Sequence, residues 1–167
     1  MQCGSPEDLY ERPATPFVAR FTGLAGEFEA ETEQAGSSAA SVRLTGLGGA
    51  PRVSAQVAGP VQAHRRARLL IRPAAIRLVP PEDPLTQLRA RVCDAAFRGR
   101  GYDYAVLFDT GIKLVGIRDE RRWERGAVVG LSLDPAGCLL FPEEAGAAPS
   151  GHRVPAGVEA VPDPSGV

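Results

Sequence analysis

The sequence predicts an all-β fold made of small barrels, preceded by a short helical connector. Three observations predict it. Apolar residues recur at every second position through most of residues 26–142, which is the period of half-buried strands. The chain carries 19 Gly and 15 Pro, many of them between the alternating runs, as in short strands joined by turns. Only residues 5–22 have convincing helical features, so helix is expected only near the N-terminal end.

Two short helices are expected in that segment. Ser5 can cap the first helix, with Pro6 at its first position and acidic residues in its first turn. Pro13 stops it, because a proline pushes the residue before it out of helical geometry. A second helix is expected to start near residues 15–16 and to end at Gly23.

The second helix carries an apolar stripe formed by Phe17, Val18 and Phe21. Helices this short are not stable alone, so they must dock on something. We therefore expect self-association or docking through Phe17 and Phe21 and through exposed strand edges.

About nine short strands are predicted, a number and spacing that favour small barrels over a sheet with crossover helices. They are marked by the apolar positions 28–30, 42–44, 53–57, 67–71, 88–97, 102–108, 112–114, 129–133 and 138–141. Leu70 is expected on the outer side of its strand, with Arg66 and Arg68. The Pro-rich residues 80–84 mark a boundary.

These patterns predict a domain organisation in three parts. Residues 1–24 would form the connector, and residues 25–142 the β region, which could consist of two interleaved units, 25–80 and 84–142. Residues 143–167 are rich in Ala, Gly, Pro and Ser and are expected to be a flexible tail.

The strand that begins at Leu88 contains a slip in its apolar phase. Leu88, Ala90 and Val92 are even-numbered, whereas Ala95 and Phe97 are odd-numbered. A one-residue slip requires an extra residue, so we predict a bulge or sharp bend within residues 92–96.

Composition and charge exclude several classes of function. The formal net charge is −1, which gives no overall field for nucleic-acid binding, and no nucleic-acid partner is expected. No apolar run approaches the ~18 residues needed to span a membrane, and the N-terminus lacks the features of a secretory signal. Cys3, Cys93 and Cys138 have no zinc-ligand spacing, so neither a metal nor a cofactor is expected.

No catalytic residues are predicted, and the chain by itself is not expected to be an enzyme. A phosphate-binding loop needs the pattern G-x-x-x-x-G-K-[ST], and the only lysine, Lys113, follows Ile112 instead. Neither histidine lies in a recognisable nucleophile–base motif.

Two separated stretches resemble one known family. Residues 4–10 read Gly-Ser-Pro-Glu-Asp-Leu-Tyr and residues 17–23 read Phe-Val-Ala-Arg-Phe-Thr-Gly. They are similar to the segment that leaves the nucleotide-binding domain in ATPase subunits of importers for maltose, polyamines and ferric iron. Residues 70–73, Leu-Ile-Arg-Pro, resemble the I-R-P-E motif of the C-terminal TOBE region, the transport-associated OB-fold, although Ala74 replaces its Glu. The motif positions are Tyr10, Pro13, Phe17, Phe21, Arg72 and Pro73.

The resemblance implies the TOBE region of an ABC-importer ATP-binding subunit, with OB-fold-like barrels and without its nucleotide-binding domain. It implies an accessory role that is regulatory and stabilises the ATPase dimer. The partners would be the ATPase domain, a second ATPase subunit in a homodimer and, indirectly, the membrane subunits at the cytoplasmic face of the plasma membrane. The alternative is a free-standing module that binds a small oxyanion such as molybdate, with candidate ligands Arg98, Arg100, Tyr102 and Lys113.

Overall fold

The computed structural model describes residues 5–143, which form two short helices and ten strands. The helices are α1 (Pro6–Glu11) and α2 (Pro16–Phe21). The strands are β1 (Gly26–Ala35), β2 (Ala39–Leu44), β3 (Arg52–Val57), β4 (Arg66–Ile71), β5 (Ile76–Val79), β6 (Leu88–Phe97), β7 (Tyr102–Leu107), β8 (Lys113–Asp119), β9 (Val128–Leu133) and β10 (Cys138–Pro142). The predicted all-β class is confirmed, with β5 as a strand beyond the nine expected.

Both helices begin where their capping residues predict. The Ser5 hydroxyl accepts a hydrogen bond from the Asp8 backbone, and the Asp8 carboxylate accepts one from the Ser5 backbone. Hydrogen bonds from the Ser5 side chain and backbone hold the pKa of Asp8 below its usual range. Thr15 caps α2, and Gly23 follows the helix with a φ of 99°, a conformation that favours glycine.

The strands form a closed barrel and a second, five-stranded sheet. The barrel order is β1-β2-β3-β10-β4, and the sheet order is β5-β9-β6-β7-β8. The chain leaves the barrel through a 3-10 turn at Pro73–Ala75 and returns to it through a second 3-10 turn at Pro135–Gly137. On its return it forms β10, which pairs parallel to β3 and antiparallel to β4, and so completes the barrel.

The predicted bulge in β6 is confirmed. Val92 pairs with Val106 and Asp94 pairs with Ala105, so Cys93 is the extra residue. After the bulge, Phe97 lies opposite Tyr102 at the end of the ladder. Its ring contacts that of Tyr102 in a tilted arrangement, with 5.2 Å between centroids, but stays 65% exposed.

Leu70 lies on the side of β4 opposite Leu69 and Ile71, as expected, but that side is covered and not exposed to solvent. Leu70 is fully buried, and it packs with Ala19, Leu139 and Phe141. The reason is that α2 lies over the outer face of β4 and β10, so β4 is covered on both faces.

The barrel and the second sheet share one hydrophobic core. It contains buried residues from the strands of both sheets. At their junction the ring of Phe28 from β1 meets that of Phe108, which follows β7, edge to face with centroids 5.4 Å apart. Of the predicted tail, 143–167, all but Glu143 lies outside the described residues.

Candidate functional site

The outer side of α2 presents two exposed aromatic rings, which we call the Phe stripe (Phe17 and Phe21). They are 74% and 85% exposed, whereas Ala19 on the same helix is fully buried against the barrel. Residues four apart lie on the same helical face, so the two rings form one apolar surface pointing away from the barrel. Pro13, a motif position, is buried just before this helix.

An ion-pair network fixes α2 to the barrel. Arg20 of α2 donates to Glu27 of β1, and Arg68 of β4 donates to the same carboxylate at 3.3 Å. Burial raises the pKa of Glu27, but the hydrogen bonds and charges of Arg20 and Arg68 outweigh it and hold that pKa below its usual range. The network therefore orients the helix that carries the Phe stripe.

A second feature is a cleft of about 390 Å³ between α1, the end of β3 and the two 3-10 turns, which we call the Arg72 cleft. The Tyr10 ring covers the Arg72 guanidinium, with Cζ 3.6 Å from the ring centroid. Arg72 is only 5% exposed, and its Nη2 has no hydrogen-bond partner. The lining also includes Glu11, Arg12, Gln56, Ala74 and Asp134.

Backbone contacts between the two 3-10 turns shape the floor of this cleft. The Arg72 backbone donates to Gly137 O at 3.0 Å, and the Asp134 backbone donates to Ala75 O at 2.8 Å. A Cβ on Gly137 would lie 2.5 Å from the Ala75 Cβ, so only glycine allows this approach. Pro73, a motif position, starts the first turn.

The four oxyanion candidates do not come together in one place. Arg98, Arg100 and Tyr102 lie at the tip of the β6–β7 hairpin, whereas Lys113 lies opposite Leu107 at the far end of the β7–β8 ladder. The step of five residues from Tyr102 to Leu107 spans roughly 17 Å along the strand. Arg98 is already paired with Asp103 at 3.0 Å.

The two described cysteine thiols lie in different environments. Cys138 is buried, and this burial, together with the charge of Asp134, raises the pKa of its thiol to about 12, so it stays protonated at neutral pH. The part-buried Cys93 thiol donates to Ala105 O at 3.3 Å. Within residues 5–143, no group of three or more His, Cys, Asp or Glu residues could hold a metal ion.

Sequence reasoning missed the contact that closes the Arg72 cleft. Tyr10 and Arg72 are motif positions in two separate stretches, and their pairing depends on tertiary structure alone. Gln56 and Asp134 also reach the cleft from strands and turns far apart in the sequence. No local pattern signals such a meeting.

Comparison with known proteins gives a match to a family model and matches to curated relatives. A family model described as a TOBE domain matches residues 69–141. The Fe(3+) ions import ATP-binding protein of Brucella suis biovar 1 is 44% identical over 79 residues, which is 47% of this chain and 21% of that protein. The spermidine/putrescine import ATP-binding protein of Frankia alni is 29% identical over 155 residues, which is 85% of this chain and 33% of that protein.

A solved structure shows the same fold at low sequence identity. The cytoplasmic molybdate-binding protein ModG, with molybdate bound, superimposes with a TM-score of 0.57 and 13% identity. The match covers 72% of this chain and 97% of that one. This likeness supports an OB-fold-like architecture.

The chain spans only about a fifth to a third of the length of the curated relatives that it matches. Its matches lie in their C-terminal region, and these relatives are ATP-binding subunits of ABC importers. Residues 69–141 therefore form a TOBE domain of the kind found in ABC-importer ATP-binding subunits.

Proposed function

We propose that this chain acts as the accessory C-terminal region of an importer ATP-binding subunit, where it packs on the ATPase domain and stabilises the ATPase dimer. The partners in this proposal are the ATPase domain, a second ATPase subunit and, through them, the membrane subunits at the cytoplasmic face. Solute import and ATP hydrolysis belong to the complete assembly. The 167 residues contain no G-x-x-x-x-G-K pattern, so we assign hydrolysis to the ATPase domain and a non-enzymatic role to this chain.

The observation that carries this proposal is the Phe stripe. Burying an aromatic side chain removes roughly 150–250 Å² from water. The two rings are 74% and 85% exposed, so their burial against a partner would add a large favourable hydrophobic contribution to binding. The stripe lies on a helix that the Glu27 network already holds in place, so docking costs little further ordering. An oriented, exposed apolar surface of this kind is typical of a protein–protein contact.

This position of the stripe fits the connector interpretation. The stripe belongs to the sequence stretch similar to the segment that leaves the nucleotide-binding domain, so an ATPase domain preceding this chain would lie next to it.

Within residues 5–143, the two helices are six residues each, and no helix is long and apolar enough to cross a bilayer.

An oxyanion-binding role has weaker support. Asp103 contacts both Arg98 and Arg118, at 3.0 and 3.4 Å, and so competes with any anion for these two cations. Lys113 lies at the other end of the ladder. A site built by Arg98, Arg100 and Tyr102 stays a prediction.

A chimera tests the proposed function. The chain is placed behind the ATP-binding domain of the similar Frankia alni protein, replacing that protein's own C-terminal region. Hydrogen exchange of the α2 amides is then compared between the chimera and the isolated chain, and the dimer dissociation constant is measured by sedimentation. We expect slower α2 exchange in the chimera, because the Phe stripe becomes covered.

Matched variants identify the surface. The double variant F17A/F21A should abolish the added protection and weaken the dimer by about tenfold, a change typical of losing aromatic anchors. F97A removes another exposed ring, 65% exposed and located at the β6–β7 end, and should change neither the α2 exchange nor the dimer dissociation constant. Identical behaviour of F17A/F21A and F97A would contradict the proposal.

A further inference from the structure

Arg72 is a buried cation with an unused donor. Its guanidinium stays charged at any physiological pH, and the residue is 5% exposed. Nη2 has no acceptor within residues 5–143. Leaving a charged donor buried without a partner is unfavourable, so such a group in a native structure marks a place where a water, an ion or a ligand can supply the acceptor.

The Tyr10 ring compensates for only part of this cost. It stacks on the face of the guanidinium, with 3.6 Å between Cζ and the ring centroid. The N–H bonds of a guanidinium lie in its plane and point outward from its edge, where a stacked ring offers no acceptor. An acceptor for Nη2 must therefore come from the edge, and Arg72 itself lines the cleft.

The charges in the wall of the Arg72 cleft limit what can enter. Glu11 and Asp134 supply two carboxylates, and Arg12 and Arg72 supply two cations, so the formal charge of the wall balances. One oxygen of Asp134 already accepts from the Ala136 backbone at 3.0 Å. A singly charged anion fits this wall better than a doubly charged one, because the two carboxylates repel added negative charge.

We propose that the Arg72 cleft binds a small solute through a single carboxylate group, which accepts hydrogen bonds from Nη2 of Arg72. A carboxylate is the planar acceptor that matches the edge of a guanidinium. The volume of about 390 Å³ leaves room for the rest of a small molecule. This site is separate from the Phe stripe and does not depend on the proposed role in the transporter.

The Tyr10 ring covers the guanidinium and Nη2 is shielded from solvent, so Tyr10 must shift with its helix before an acceptor can reach Nη2. None of the residues of α1 is buried, so few apolar contacts hold it against the barrel. A bound carboxylate would therefore be linked to the position of α1, the first part of the connector. The solute and the Tyr10 ring would share the guanidinium, one at its edge and the other on its face.

The test is an NMR titration of the whole chain with sodium acetate, with sodium chloride replaced to keep ionic strength constant. We expect saturable shifts of the Arg72 Nε–H, of the amides of Ala74 and Gly137, and of the amides of α1. R72Q should abolish them. A74E places a tethered carboxylate at an exposed position in the cleft wall, and it should weaken acetate binding by about tenfold or more.

The control is A63E, which adds the same charge at an exposed loop residue outside the cleft lining and should leave acetate binding unchanged. Because A74E alters an exposed position, it keeps the test decisive even where R72Q fails to fold. Absence of saturable shifts, or equal acetate binding by A74E and A63E, would overturn the proposal. Tighter binding of inorganic sulfate than of acetate would also overturn it, since the cleft would then prefer a doubly charged anion.

Discussion

The approach of the two sheets depends on one residue that has no side chain. Gly137 ends the 3-10 turn through which the chain returns to the barrel, and its backbone lies directly against Ala75 of the outgoing turn. The same contact orders the backbone on either side of Arg72, whose N–H donates to Gly137 O. Close packing of the two 3-10 turns thus sets the geometry of the Arg72 cleft.

Replacing Gly137 with alanine should destabilise the protein. The new Cβ would lie 2.5 Å from the Ala75 Cβ, so one turn must shift, and overpacking of this kind costs about 1–3 kcal/mol. Urea denaturation at pH 7 measures the change in the free energy of unfolding. The control is G48A, since a Cβ on Gly48 meets no atom within 4 Å. Equal stabilities of G137A and G48A would show that the two 3-10 turns are not tightly packed against each other.

At the scale of secondary-structure elements, α2 is held to the barrel by charge as well as by burial. Glu27 of β1 accepts from Arg20 of α2 and from Arg68 of β4, so one carboxylate joins three elements. The pair is only partly shielded from solvent, which limits its contribution.

The variant E27Q should lower the free energy of unfolding at pH 7 by about 1 kcal/mol, after allowance for solvent screening. The pKa of Glu27 is lowered by folding, so its contribution is complete above the ordinary carboxylate pKa and disappears as the pH falls through the lower folded value. The difference between wild type and E27Q should therefore shrink in acid. E31Q, which breaks the more exposed pair with Arg43, is the control and should have a smaller effect. A difference that stays constant down to pH 2 would contradict this account.

The elements that depend on residues close together in the sequence could be predicted from the sequence. The Ser5 and Thr15 caps define both helices, and the phase slip between Val92 and Ala95 located the bulge at Cys93. The strand β5 was missed because four residues directly after a proline-started turn give too short an alternation to count as a strand. These results reflect how much of each element is specified within a few residues.

The features that the sequence did not predict depend on contacts between residues far apart in the chain. The burial of Leu70 depends on α2 folding back over β4, and no alternation within the strand signals that. The cleft depends on Tyr10 meeting Arg72, which are 62 positions apart in the printed sequence. The exposure of Phe17 and Phe21 is compatible with the predicted docking role. The pairing of β7 with β8 separates Lys113 from the other three oxyanion candidates.

At the scale of the whole molecule, the two sheets are linked by the return of the chain to the barrel and by one shared core. The strand β10 follows the second sheet in sequence but completes the first barrel between β3 and β4. The core runs through both sheets without a break. The barrel therefore cannot close without the strand that follows the second sheet, whereas the second sheet comes from one continuous stretch, residues 76–133.

This arrangement predicts a single cooperative unfolding transition. Trp123, the one tryptophan in the sequence, reports on the second sheet, because its indole donates to Asp119 and its backbone to the Tyr104 hydroxyl. Far-UV circular dichroism reports on both sheets. The variant L140A removes a fully buried side chain of β10 in the barrel and should cost about 2–5 kcal/mol.

We expect the L140A change to move the tryptophan and circular-dichroism transitions in urea by the same amount, although Leu140 and Trp123 lie on different sheets. The matched control L85A truncates a leucine that is 58% exposed and should move neither transition by more than about 0.5 kcal/mol. Coincident transitions satisfy the requirement for two-state unfolding. If L140A shifts the circular-dichroism transition but leaves the tryptophan transition in place, the second sheet folds without the barrel. The interleaved strand order would then carry no energetic coupling between the two sheets.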